Sequence, residues 1–238
     1  MSPTKIEFAE NDRAADEAFT RLAAEADAFE GYAHPHAARM ARLADALAKL
    51  FNLAPQDRVA LRIAALAHDL GEVVMARDYI KRAGPLSEDE RLDLARHPII
   101  GEQEAARSGA NRGAQLLVRW HHEWWNGAGY PDALGREQIP LGARILRVVD
   151  AYAALTDARP FRPARTVTEA RRHLADWAGI EFDPRIVRAF LALDGMAELE
   201  SFAVIGSYAD DEPTRPPEGT EPQPEEEDSF SSSIFHLN

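Results

Sequence analysis

The sequence predicts an all-α fold. Apolar residues recur at spacings of three and four through most of the chain, strand-like alternation is almost absent, and segment ends carry helix punctuation. Ala15, Ala18, Phe19, Leu22, Ala23, Ala26 and Phe29 line one helical face, which Gly31 ends. His34-Pro35 reads as an N-cap followed by proline at the first helical position, and Met40, Leu43, Ala44, Leu47 and Leu50 continue the stripe. The next helix begins beyond Pro55 and carries Val59, Ile63, Leu66 and Ala67 into His68. Ser87-Glu88-Asp89-Glu90 fits a capping box for a short helix to Ala95. Pro98 opens a segment that Gly109 ends, and Ala114 to His122 continues the bundle. A loop from Trp125 to Leu141, with glycines at 127, 129 and 135 permitting turns, separates that helix from the one holding Asp150. Thr166-Val167-Thr168-Glu169 caps a helix terminated by Gly179, and Asp183-Pro184 starts a last long helix through Leu193. Phe202 to Tyr208 is the one stretch with strand-like alternation.

At 238 residues the chain accommodates one domain of roughly 200 residues and a tail. The expected organisation is an N-terminal helical segment (1–30), a main domain (31–208) and an acidic, proline-rich tail (209–238). Asp210 to Asp228 holds nine acids and one arginine, so of the formal charge of −13 the remainder carries only −5. Such a segment buries too little apolar surface to offset its ordering entropy and reads as disordered. No run approaches the ~18 apolar residues of a membrane span, and the N-terminus lacks the basic-then-apolar pattern of a secretion signal, so a cytoplasmic protein is expected. No basic stripe with interleaved aromatics suggests nucleic acid as a partner. There is no cysteine, so imidazoles and carboxylates are the available strong metal ligands, a set suited to Fe, Mn, Zn or similar ions.

Chemistry concentrates in a few places. His121 and His122 are adjacent imidazoles leading into Gly129-Tyr130-Pro131; His68-Asp69-Leu70-Gly71 closes an apolar helical run; His97-Pro98 opens another segment; Asp150 ends Ile145-Leu146-Arg147-Val148-Val149. Two ions ~3.5–4 Å apart need a carboxylate between them and neutral imidazoles around them, and Asp69 is the natural bridge. Glu123 is read as orienting an imidazole, and Trp120, Trp124 and Trp125 as core and pocket wall.

These elements, with Asp150-Ala151-Tyr152-Ala153-Ala154-Leu155-Thr156, resemble in order the HD-GYP branch of the HD-domain phosphohydrolases, over roughly residues 30 to 195. The resemblance implies an HD-domain helical bundle with a long Gly-Tyr-Pro loop, binding two or three divalent metal ions. It also implies hydrolysis of the bacterial second messenger cyclic di-GMP by a metal-bridging hydroxide. Carried over by position, His36, His68 and Asp150 would complete one ion's shell, and His97, His121 and His122 the other's, with Asp69 shared. Arg159 would stand near the substrate phosphate or guanine. Tyr130 and its loop would form a pocket wall or a docking surface for a signalling partner domain.

The sequence departs from the family at several points. Glu72 stands where a lysine follows the His-Asp motif, a charge reversal at the phosphate; four residues after His68, it is expected on the same helical face. Glu at this offset also resembles HD hydrolases of other nucleotides and phosphomonoesters, where it serves water or a proton; a silent module that retains its metal is the other alternative. Asn126, Ala153 and Phe161 replace an acid, a second aspartate and a tyrosine. Tyr32 fills the position where three-metal members carry glutamate, which favours two ions, with Fe or Mn ahead of Zn or others. With about 30 residues before the first ligand, a receiver domain controlling this one is not expected within the chain.

Overall fold

The computed structural model describes residues 5–159 and 162–193, with side chains from residue 15. The described helices are α1 (Lys5–Glu30), α2 (His36–Leu50), α3 (Pro55–Ala67), α4 (Leu70–Met75), α5 (Glu88–Leu94), α6 (His97–Arg107), α7 (Arg112–Trp120), α8 (Leu141–Thr156), α9 (Val167–Asp176) and α10 (Pro184–Leu191). Two 3-10 turns, Asp78–Lys81 and Arg136–Gln138, complete the order, and the described residues hold isolated bridges but no strand. The all-α expectation holds. The tail, the Phe202 to Tyr208 stretch and Phe161 lie outside the described residues.

α2, α3 and α8 pack on one another at the centre, and α1, α7, α9 and α10 close around them. Met40, Leu43, Ala44 and Leu47 of α2 are fully buried at helical spacing. α8 is apolar nearly all round, as a core helix must be, with Ile145, Leu146, Val148, Val149 and Tyr152 fully buried. The Met, Leu, Ile and Val side chains among these each contribute about 1.5–3 kcal/mol relative to exposure. Arg147 and Asp150 are charged exceptions on this helix, and both are also buried.

The expected caps at Ser87 and Thr166 are capping boxes, and Asp183 caps α10. Other boundaries differ. Pro35 rather than His34 occupies the N-cap of α2, so His36 becomes its first residue. α7 starts at Arg112 because the Asn111 side chain accepts from the Ala114 amide at 2.9 Å, and it ends at Trp120, leaving His121 and His122 beyond it. α10 is a short helix of 8 residues rather than a long one. The chain breaks at His68-Asp69, between α3 and the unanticipated α4, so Glu72 does not share a continuous helix with His68. Gly71 lets α4 meet the start of α6: a Cβ on Gly71 would lie 2.0 Å from the His97 carbonyl oxygen.

Candidate metal centre

Three histidines stand at helix ends and are oriented alike. His68 follows α3, His97 opens α6 and His121 follows α7. Each Nδ1 meets a carbonyl oxygen three residues earlier: Ala65 at 3.0 Å, Leu94 at 2.9 Å and Val118 at 2.6 Å. A carbonyl only accepts, so each Nδ1 carries the hydrogen, and in the neutral ring Nε2 holds a lone pair. His36 is set the same way by a charged partner: its Nδ1 donates to Asp157 Oδ2 at 2.8 Å, and Arg39 Nη1 donates to Asp157 Oδ1 at 2.7 Å. The Tyr32 ring stacks on His36 at 4.0 Å.

These lone pairs converge. The Nε2 atoms of His97 and His121 are 3.3 Å apart, two acceptors facing each other, an arrangement that calls for a cation or a proton between them. The Nε2 atom of His36 is buried without a hydrogen-bond partner, and that of His68 is buried with the Asp69 carboxylate beside it. Asp69 joins the set from both sides, with Oδ2 2.8 Å from His68 Nε2 and Oδ1 3.5 and 3.8 Å from the Nε2 atoms of His97 and His121. The candidate donor atoms of Asp69, His97, His121 and His122 all lie within 4.8 Å of one another, as do those of His36, His68 and Asp150. Inward lone pairs, two carboxylates and no thiolate fit divalent metal ions.

The electrostatics divide the imidazoles. Burial pushes His97 down and His121 and His122 well down, which favours the neutral imidazoles that metals bind. Burial also opposes protonation of His68, yet Asp69 outweighs it and lifts that imidazole to about 9. Asp69 itself, despite burial, is held well below the usual carboxylate range by the imidazoles around it.

Glu72 is buried and faces this centre, pushed up to about 8 by burial and the charge of Asp69, with Arg159 pulling the other way. Arg159 is also buried; its Nη2 donates to Glu30 Oε2 at 2.7 Å and to the Tyr32 hydroxyl, and its guanidinium lies 4.2 Å from the centre of the Tyr32 ring. Tyr130 stacks on His122 at 4.9 Å, and the Tyr130-Pro131 bond is cis.

Glu123 plays a different part from the expected one. Its carboxylate accepts from the Asp132 and Leu134 amides at 2.7 and 3.0 Å, so it ties down the Gly-Tyr-Pro loop rather than orienting an imidazole. Asp132 is gripped in turn by Arg119 and by Trp120 Nε1 at 2.7 Å. Gly129 lets the loop press against the chain after His122, where a Cβ would meet the Trp124 amide nitrogen at 2.2 Å. Gly135, at φ −124°, needs no glycine freedom. Trp124 packs edge-on against Trp177 at 5.9 Å, a core role. His34 is exposed, and His173 packs beside Trp177 and Phe182, away from the centre.

Sequence reasoning missed Glu30, Arg147, Asp157 and Glu181. Arg147 and Asp157 stand three before and seven after Asp150, helical offsets that could have marked them. Nothing in local spacing marks Glu30 or Glu181, which tertiary packing brings to the site.

The HD-domain family model matches residues 18–186. A cyclic di-GMP phosphodiesterase response regulator of Xanthomonas campestris is 36% identical over 197 residues, covering 81% of this chain and 50% of the relative. A cyclic di-GMP phosphodiesterase of Vibrio cholerae is 31% identical, covering 82% and 42%. The chain thus spans about half the length of the curated relatives it matches. Among solved structures, a cyclic GMP-AMP specific phosphodiesterase of V. cholerae superposes with a TM-score of 0.63 at 17% identity, covering 80% of this chain and 51% of that one. An HD-GYP-type protein of Bdellovibrio bacteriovorus gives 0.57 at 19%, covering 77% and 62%. Those two likenesses bear on the fold, while the family-model match spans the residues from His36 to Asp150. The chain belongs to the HD-domain family, in its HD-GYP branch.

Proposed function

We propose that this chain is a metal-dependent phosphodiesterase acting on a cyclic dinucleotide, with cyclic di-GMP the favoured substrate. The observation that carries the reading is the convergence of two donor groups on Asp69, whose two oxygens face opposite imidazoles. His36, His68 and Asp150 are assigned to one ion and His97, His121 and His122 to the other, with Asp69 between them. The donor chemistry suits Fe or Mn, with Zn or others also accommodated. Bound divalent ions supply Lewis acidity and lower the pKa of water at the scissile phosphorus. The names of the sequence relatives support the substrate class.

The chain's own residues do the rest. Neutral imidazoles fill the shell without excess charge, and Asp157 fixes the His36 ring. Glu72, whose carboxyl is pushed up by burial and by the charge of Asp69 in the metal-free chain, is assigned delivery of a proton to the departing oxygen. Arg159 is assigned to the substrate phosphate, exchanging part of its contact with Glu30 and Tyr32, and Tyr130 to the pocket wall. The exposed side of the Gly-Tyr-Pro loop is the assigned docking face for a signalling partner domain. Among the described residues no helix is long and apolar enough to cross a membrane, and the cytoplasm is the assigned compartment.

The test is purified protein loaded with Mn(II) or Fe(II) under reducing conditions, incubated with cyclic di-GMP, cyclic GMP-AMP and a panel of nucleotides and phosphomonoesters, with products resolved chromatographically. Turnover of cyclic di-GMP supports the reading. Turnover of other esters alone moves the substrate elsewhere, and binding without turnover makes the chain a silent module.

A further inference from the structure

His122 differs from the other four histidines of the centre. Its Nδ1 lies 3.1 Å from Nη1 of Arg147. A guanidinium has only donors, so this Nδ1 accepts, whereas the Nδ1 atoms of His36, His68, His97 and His121 donate. The same Nη1 donates to Asp150 Oδ2 at 3.0 Å, and Nη2 donates to Glu181. Arg147 is 5% exposed and stands between the two donor groups, with one contact in each.

An exclusion follows from the chemistry of the ring. Neutral imidazole has one lone pair and one N–H. A cation bound at Nδ1 takes the lone pair that Arg147 now occupies. A cation bound at Nε2 leaves the hydrogen on Nδ1, where it opposes an N–H of Arg147. His122 therefore cannot serve both partners. Asp150 can, because Oδ2 holds Arg147 while Oδ1 faces His36 Nε2 at 3.9 Å.

We propose that Arg147 is a tethered cation competing with the divalent ion for His122. The His36/His68/Asp150 group fills first, with Arg147 in place. The Asp69/His97/His121/His122 group fills only as the guanidinium leaves His122, remaining anchored on Glu181. Arg147 is thus a positioning residue that sets the order and affinity of metal filling. The inference rests on reading both groups as metal sites.

Zn(II) titration of the metal-free full chain, followed by calorimetry and by ¹⁵N NMR of the histidine rings, tests it. The expected result is two separated binding steps. His122 Nδ1 is unprotonated without metal, is unchanged by the first equivalent of zinc, and becomes protonated or zinc-bound with the second. In Arg147→Gln, whose amide can donate to Glu181 and accept from a protonated Nδ1, the weaker step tightens by about tenfold, the scale on which outer partners tune metal sites. A protonated His122 Nδ1 in the metal-free protein, a change at the first equivalent, or an unaltered weaker step in folded Arg147→Gln would each overturn the proposal. Should the variant fail to fold, the ring spectra of the unmodified chain decide. Zinc binding at neither group overturns both this proposal and the metal-dependent function; two bound ions without the His122 signature overturn this one alone.

Discussion

The two donor groups use the same ligand chemistry but mix two kinds of support in different proportions. His97 and His121, like His68, are held by backbone carbonyls three residues away, a contact built into a helix end. His36 depends on Asp157, which lies 121 residues along the chain, and His122 is met by the side chain of Arg147, 25 residues away. A carbonyl support survives any side-chain substitution at its own position that preserves the backbone. A side-chain support can be tuned or lost by one change. The supports of this centre thus divide into a fixed set and an adjustable set.

The largest effect belongs to Asp69, a member of one donor group that also reaches His68 of the other at 2.8 Å. Asp69→Ala should lower hydrolysis by at least about 10³-fold, on the order of 4 kcal/mol of barrier. Elemental analysis should find both ions depleted. Full retention of one ion would show that the groups are independent and that the bridge is unnecessary.

Glu72→Gln comes next, with an expected loss of about 10²-fold in turnover at unchanged metal content, as for removal of a general acid. A rise in turnover would instead identify Glu72 as an unfavourable charge at the phosphate, a result that Glu72→Lys should then amplify. The same residue sets a stability signature in the metal-free protein. Its folded value of about 8 exceeds the ordinary 4.5, so the folded state holds the proton more tightly than the unfolded state. That stabilisation is full below the unfolded value and is lost as pH rises through about 8. Denaturation midpoints measured at pH 5 and pH 8 should therefore differ less in Glu72→Gln than in the unmodified chain. His68, also lifted, contributes a loss of the same sign between 6.5 and about 9, which the variant leaves in place.

Asp157→Ala attacks an adjustable support directly. Losing the carboxylate behind His36 should weaken zinc at the His36/His68/Asp150 group by about 10- to 100-fold while leaving the Asp69/His97/His121/His122 group nearly unchanged. Asp157→Asn, which keeps an acceptor for Nδ1, should recover part of the loss. Equal weakening at both groups in the titration would erase the distinction between them.

The same distinction explains what the sequence made legible. Histidines next to helix boundaries, at 68, 97 and 121, could be found because boundary signals and ligand motifs coincide in a few consecutive residues. The caps at Ser87, Thr166 and Asp183 were legible for the same reason. Arg147, Asp157, Glu30 and Glu181 act through contacts with distant parts of the chain, and only packing brings those partners together. Glu123 shows the converse error: proximity to His122 suggested an imidazole partner, while its carboxylate satisfies loop amides nine and eleven residues later.

The smallest effect tests how rigid a fixed support is. α5 begins at a reciprocal cap in which Ser87 Oγ accepts from the Glu90 amide at 3.2 Å and Glu90 Oε2 accepts from the Ser87 amide at 2.8 Å. Its last residue, Leu94, is buried and supplies the carbonyl that orients His97. Ser87→Ala should destabilise the protein by about 1 kcal/mol in denaturant unfolding, the usual cost of a lost N-cap. Because Leu94 is anchored in the core rather than by the cap, zinc affinity at the Asp69/His97/His121/His122 group should change by less than about twofold, within 0.4 kcal/mol. A larger loss confined to that group would show that α5 transmits disorder from its exposed start to His97, and that a backbone support is only as fixed as the helix that ends in it.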